Sequence, residues 1–327
     1  MSLIRKILCV TDLSSFSKNA EIISLRLAEK LKAHLTILSC GDFYKHNSNY
    51  FLDENIVPSQ TEIPYTEEYL KFIEQKKIIT LEHIEFMAKK YKIKMPENIN
   101  YEIRLENEVI AALDIIEESA YSFDLVIVTK QDYNFWERLL FGFPASEIRE
   151  ECKISTLLLP SNEQWSQWLP NGIVVASSLT EDSALAEEYG AELGQKLHGY
   201  LSIMHVVDTV NLHFDMNVSH VFPIDYIPSQ IQTETIEEVK KNKNNELTKI
   251  KQKLVNDFNL TKIKTHLHIG RVGEEILHYI NNDSENNLLI IGARKGNALA
   301  KFFLGSKTSA LEESCLIPIL IAQKSHS

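Results

Sequence analysis

The sequence predicts an α/β protein built from two tandem, doubly wound parallel sheets. Three observations carry that expectation. Short continuous apolar runs rich in Ile, Leu and Val alternate with amphipathic stretches, the pattern of strands covered on both faces. The order of those elements repeats about halfway along the chain. In the second half, an apolar run leads into a Gly-rich turn, Gly292-Ala293-Arg294-Lys295-Gly296, with Gly305-Ser306 following eight residues later.

Taken in order, each module reads strand, helix, strand, long insert, helix, strand, helix, strand, turn, helix, strand. Ile7–Asp12 answers to Ile173–Ser178, and each is followed five residues on by a serine, Ser17 and Ser183. The first helix puts Ala20, Ile23, Leu27 and Leu31 on one face. Leu35–Leu38 answers to Leu201–Met204, and Asp124–Val128 to Asn287–Ile291. Arg138–Gly142 answers to Lys301–Gly305, and Cys152–Ser155 to Cys315–Pro318. Asp12 and Ser178 are 166 residues apart and Cys152 and Cys315 are 163 apart, so a net difference of three residues separates equal modules. Modules 1–160 and 171–327 are joined by a polar linker, 161–170, whose two tryptophans, Trp165 and Trp168, are expected to pack it against a module.

A chain of 327 residues accommodates two such domains, and 44% hydrophobic with 24% charged residues is a globular composition. The net charge of −11 argues against nucleic acid as the partner, which needs a basic face. No apolar run approaches the ~20 residues of a membrane helix. The start of the chain reaches Thr11-Asp12 before a leader-like apolar stretch forms. Cys9, Cys40, Cys152 and Cys315 form no CxxC pair. They are read as reduced, packed thiols of a cytoplasmic protein.

Function is sought at the carboxyl ends of the strands, where doubly wound sheets hold ligands. Asp12, Ser178 and the glycine turn fall there. Glycine lets backbone approach an anion closely, and a helix opening at Gly305-Ser306 would direct N–H groups at it. The inserts 42–66 and 208–233 are expected to pack as irregular coil and short helix over their own domains; a lid or contact surface is the alternative. Lys240–Lys243 is read as a solvated face of a helix leading to Leu247, Ile250 and Leu254. His266 and His268 lie two apart on one strand face, a spacing that can suit zinc, with His205, His213 and His220 elsewhere in the module. No cysteine or carboxylate stands at a diagnostic spacing, so they are read as ordinary histidines. Ser14, Ser17 and Ser306 are read as helix caps or phosphate donors.

These residues together resemble a tandem universal stress protein. The resemblance rests on the strand ending in Asp12-Leu13-Ser14-Ser15-Phe16-Ser17 and on the glycine turn. In ATP-binding members that turn reads Gly, two residues, Gly, nine residues, Gly, then Ser or Thr. The resemblance implies five-stranded parallel sheets of order 3-2-1-4-5, the adenine-nucleotide alpha-hydrolase-like fold. It also implies pairing through the last strands, which would make this chain an internal pseudo-dimer able to form a further homodimer.

Neither module is complete against that pattern. Module one carries Thr129, Asp132, Gly142 and Phe143 at the turn positions, and Pro144 removes a donor where the helix should open. It is therefore expected to hold no triphosphate. Module two keeps Gly292, Gly305 and Ser306, with Lys295 at the middle position and Gly296 one place later. Arg294 and Lys295 would offset phosphate charge. Ser178 replaces the family Asp, and backbone near Val206 would contact adenine. The implied ligand is ATP or a related adenine nucleotide, with Mg²⁺ as its companion, held by Ser178, Val206, Gly292, Arg294, Lys295, Gly296, Gly305 and Ser306. Two readings stay open. One is a nucleotide-binding stress-response regulator that signals to a protein partner. The other is a nucleotide-independent interaction protein whose inserts recognise a protein or an apolar ligand. No residue is identified as a general base, so slow ATP hydrolysis is the upper limit of expected activity. A catalytic ligase of similar topology has no signature here.

Overall fold

The computed structural model describes residues 2–40, 67–105, 108–118, 122–129, 154–160, 167–208, 229–292 and 317–323. The chain divides into two compact units, Ser2–Leu169 and Pro170–Lys324. The first contains β1 (Lys6–Thr11), α1 (Lys18–Leu31), β2 (His34–Cys40), α2 (Glu67–Lys90), β3 (Ile99–Arg104), α3 (Glu108–Glu117), β4 (Leu125–Thr129) and β5 (Ser155–Leu159). Its strands run parallel in the order β3-β2-β1-β4-β5.

The second unit contains β6 (Gly172–Ala176), α4 (Glu181–Lys196), β7 (Tyr200–Asp208), α5 (Ser229–Phe258), β8 (Ile263–Gly270), α6 (Val272–Asn282), β9 (Leu288–Gly292) and β10 (Ile319–Ala322). Its order is β10-β9-β6-β7-β8, again parallel. Both sheets thus have the predicted 3-2-1-4-5 order. The second insert is shorter than expected: Asp208 ends β7 and helix begins at Ser229. The first insert, residues 42–66, lies outside the described residues.

The strands form from mostly aliphatic runs that can be covered on both faces: every residue of β4, β5 and β6 is buried, including Thr129, Ser155 and Thr156. The α1 face is equally plain, with Ala20 and Ile23 fully buried and Leu27 and Leu31 nearly so. Each such aliphatic side chain contributes roughly 1.5–3 kcal/mol on burial. The helix stops at Lys32, whose left-handed backbone (φ 55°) lets the amide of Ala33 reach Ala28 O at 3.0 Å. Trp168 of the linker is buried.

The repeat extends to backbone detail. Left-handed residues come in pairs, Leu13 with Leu179, Lys32 with His198, and Lys92 with Asn259. The entry to the central strand is also fixed the same way twice. Asp124 Oδ2 accepts the amides of Arg5 and Lys6 at 2.8 and 2.9 Å. Asn287 Oδ1 accepts those of Asn171 and Gly172, both at 3.2 Å. The ionised acceptor makes the shorter bonds, as charge assistance predicts.

Candidate nucleotide site

In the second module, β6 lies between β7 and β9, with Ala176 opposite both Met204 and Ile291. The ladder continues one residue further through Ser177 N to Met204 O at 2.8 Å. Following that register, Ser178 comes level with Val206 on one side and adjoins the level of Gly292 on the other. Three residues far apart in sequence therefore meet at one edge, where the chain leaves the central strand in opposite directions. Arg294, Lys295, Gly296, Gly305 and Ser306 lie outside the described residues, as do Asp132, Gly142, Phe143 and Pro144.

Gly292 has a packing reason of its own. A Cβ there would lie 2.4 Å from the backbone oxygen of Asp182, so the strand end presses directly on the first turn of α4. That turn carries Glu181 and Asp182, which already complement the helix dipole. Gly190 brings the same helix onto the sheet, where a Cβ would meet Val175 Cγ2 at 2.5 Å.

The turn after β6 is held from beneath. Leu179 adopts φ 60°, a conformation costing a leucine about 1–2 kcal/mol. Its amide donates to Ser177 Oγ at 3.0 Å, and Ser177 Oγ donates to the buried carboxylate of Glu187 at 2.6 Å. Ser183 Oγ donates to the same oxygen at 3.0 Å. Burial raises the Glu187 pKa, against the hydrogen bonds from Ser177 and Ser183 and the field of Lys253, which lower it. Ser178 is exposed and its hydroxyl is shared with Thr180 Oγ1 at 2.7 Å and Ser183 Oγ at 3.2 Å. This edge is thus polar but carries no charge at position 178.

The first module builds the same turn with different partners. Leu13 has φ 64° and donates to Thr11 Oγ1 at 2.9 Å, and Thr11 donates to Glu21 at 2.6 Å. The second oxygen of Glu21 meets His83 Nε2 of α2 at 2.8 Å. Asp12 is committed locally: its Oδ1 accepts the Ser14 amide at 2.9 Å and the Ser17 hydroxyl. Partial burial would raise the Asp12 pKa, but those bonds outweigh it and hold the group below its ordinary range. Ser17, expected as a helix cap, makes no side-chain cap bond, because its hydroxyl is spent on Asp12. At the end of β2, Lys76 Nζ of α2 donates to Cys40 O. Cys40 occupies the place in the repeat that Val206 holds in module two.

His205, His266 and His268 have protein partners, whereas His213 and His220 lie outside the described residues. His205 Nδ1 donates to Ser177 O at 2.8 Å, since a carbonyl can only accept. That assignment leaves Nε2 as the acceptor, and burial lowers the His205 pKa. His266 Nε2 pairs with Tyr279 OH at 2.9 Å and His268 Nδ1 with Glu275 at 3.0 Å. Among the described residues, no group of three or more His, Cys, Asp or Glu side chains could hold a metal ion.

Sequence reasoning overlooked Glu21, Glu187, His83 and Lys76. One signal was available: Thr11 and Glu21 are ten residues apart, as are Ser177 and Glu187. A carboxylate at the same step of both repeats, directly after an alanine each time, marks a buried position.

Residues 171–323 match the universal stress protein family. The second module belongs to that family. Among solved structures, a universal stress protein from Archaeoglobus fulgidus DSM 4304 is 15% identical with a TM-score of 0.53, across 99% of this chain and 98% of that one. A functionally unknown protein from Pseudomonas aeruginosa PAO1 is 13% identical with a TM-score of 0.50, across 97% and 92%. A putative universal stress protein from Pseudomonas aeruginosa UCBPP-PA14 gives the same values. At such identities the likeness speaks for the fold, and it extends the universal stress protein fold over both modules. No curated protein sequence matches the chain. No helix among the described residues is long and apolar enough to cross a membrane.

Proposed function

We propose that this protein is a cytoplasmic universal-stress-type regulator that binds ATP, or a related adenine nucleotide, in its second module and signals that state to a protein partner. The observation that carries this reading is the register of β6 with β7 and β9, which brings Ser178 level with Val206 and next to the level of Gly292. The first module supports it by contrast. There Asp12 is engaged by Ser14 and Ser17, and the Cys40 carbonyl is engaged by Lys76.

The described residues fit an adenine nucleotide at the nucleoside end. Neutral hydroxyls at Ser178 and Thr180 can donate to or accept from a ribose. The phosphate end depends on the turn. Glu181 and Asp182 already occupy the start of α4, so countercharge must come from Arg294 and Lys295, with Gly296, Gly305 and Ser306 giving amide and hydroxyl donors. Mg²⁺ would be held chiefly by the phosphates. A homodimer belongs to the same reading, and sedimentation of the full chain tests it.

The rival reading, nucleotide-independent recognition of a protein, is favoured by the exposed apolar side chains of α2, namely Leu70, Ile78, Ile79, Leu81 and Phe86. Mass analysis of small molecules released from protein purified without added nucleotide separates the two. An adenine nucleotide released from the chain, and absent from a Gly305→Phe variant, supports the proposal. Protein that releases none and takes up none on incubation with Mg-ATP leaves the rival.

A further inference from the structure

The two modules satisfy equivalent buried carboxylates in different ways. Glu187 is held by two hydroxyls, Ser177 and Ser183. Glu21 is fully buried and is held by one hydroxyl, Thr11, and by the imidazole of His83. The counterpart of Ser183 is Ser17, and it has turned to Asp12. A group that does not titrate has therefore been exchanged for one that does, and the new group comes from a different helix.

That helix, α2, touches the carboxyl edge of the first sheet twice. His83 reaches Glu21, and through it Thr11 and the turn bearing Asp12. Lys76, two turns earlier on the helix, reaches Cys40 O. Thr80 lies between them, fully buried, its hydroxyl bonded to Lys76 O at 2.8 Å.

We propose that His83 and Glu21 form a proton-dependent latch that fastens α2, and with it Lys76, over the carboxyl edge of the first sheet. The inference is independent of nucleotide binding in module two. The charges around the latch are few. On α2 itself the residues one turn from His83 are Ile79, Thr80, Phe86 and Met87, none of them charged. From α1 comes Glu21, whereas Arg26 of that helix is directed to Tyr91 O at 3.4 Å. Lys18 and Lys90 lie over the Tyr91 ring, and Lys90 also over Phe86. From β1 come Thr11 and Cys9, the latter a neutral thiol whose pKa burial pushes up to about 12.

The hydrogen bond that His83 donates to Glu21 raises the His83 pKa above 6.5, against the opposing effect of burial. The folded pKa exceeds the unfolded one, so the contribution is complete below 6.5 and is lost as pH rises through the raised value. Above it, an unneutralised Glu21 remains in the interior, and α2 is held less firmly. Cys40 O is then less tightly capped and can accept another donor.

Hydrogen exchange of the full chain, corrected for intrinsic rates, tests this at about pH 6 and about pH 8, on either side of the histidine range. The latch predicts several-fold lower protection of α2 at the higher pH, with no such change in α5. A His83→Gln variant, which keeps a hydrogen bond without a titrating group, should show no pH step. Equal protection of α2 at both pH values, or the same step in His83→Gln, overturns the proposal. Histidine NMR of the wild-type chain gives a second readout, since an His83 pKa at or below 6.5 also overturns it.

Discussion

Thr11 donates its hydroxyl to Glu21 at 2.6 Å, and Ser177 donates to Glu187 at the same distance one module later. In each case the hydroxyl also accepts the amide of a left-handed leucine. Two sequences that share few residues thus arrive at one device, a buried carboxylate supporting a strained turn at the edge of the central strand.

Removing the hydroxyl should expose that dependence. Thr11→Val leaves the Leu13 amide and one Glu21 oxygen without their partner, at a cost of about 1–3 kcal/mol for a buried group. Ser177→Ala should cost a similar amount in module two, where Ser183 still serves Glu187. Urea denaturation of each variant checks both values, and an unchanged midpoint would show that the hydroxyls do not support the turns.

Glu187 gives a pH signature with a definite sign. Its folded pKa lies above the ordinary 4.5, so its favourable contribution is complete below 4.5 and declines as pH rises through the folded value. Glu187→Gln keeps an acceptor for Ser177 and Ser183 without the charge. The variant should be more stable than wild type at neutral pH and lose part of the pH slope. Denaturation series across the acid-to-neutral range read this out, and parallel curves for the two proteins would refute it.

Asp12 has the opposite sign. Its pKa is lowered from 3.8, so its contribution is present above that value and is lost as pH falls through the lowered one. Asp12→Asn should reduce stability at neutral pH and converge with wild type in strong acid. Paired acid titrations monitored by circular dichroism test the convergence.

The glycines of α4 and β9 predict steric penalties. Gly292→Ala drives a Cβ to 2.4 Å from Asp182 O, and Gly190→Ala to 2.5 Å from Val175 Cγ2. Each should cost about 1–3 kcal/mol as the elements move apart. The penalty at Gly190 should be the smaller, because alanine favours helix and the contact is a side-chain methyl. Thermal denaturation orders the two.

The fold could be read from residues because its determinants are local and repeated. Runs such as Leu125–Val128 and Leu288–Ile291 are apolar throughout, and the 166-residue spacing from Asp12 to Ser178 holds at Leu35 and Leu201 and shortens only to 163 at Asp124 and Asn287 and at Cys152 and Cys315. The site was harder. Ser17 looked like a helix cap but spends its hydroxyl on Asp12, a competition between side chains that spacing does not reveal. Packing encloses Glu21 and Glu187, a burial that the residue type of a glutamate does not announce. His83 and Lys76 reach the edge from a helix more than forty residues from β1 in sequence, a tertiary event with no local signal. Gly292 was read for its approach to a phosphate, and it also has a structural cause in the backbone of Asp182.

Calorimetric titration of the full chain with Mg-ATP tests the central asymmetry most directly. One binding site per chain is expected, retained in Asp12→Asn and abolished in Gly305→Phe. Two sites per chain, binding that disappears with Asp12→Asn, or binding that survives Gly305→Phe would contradict it.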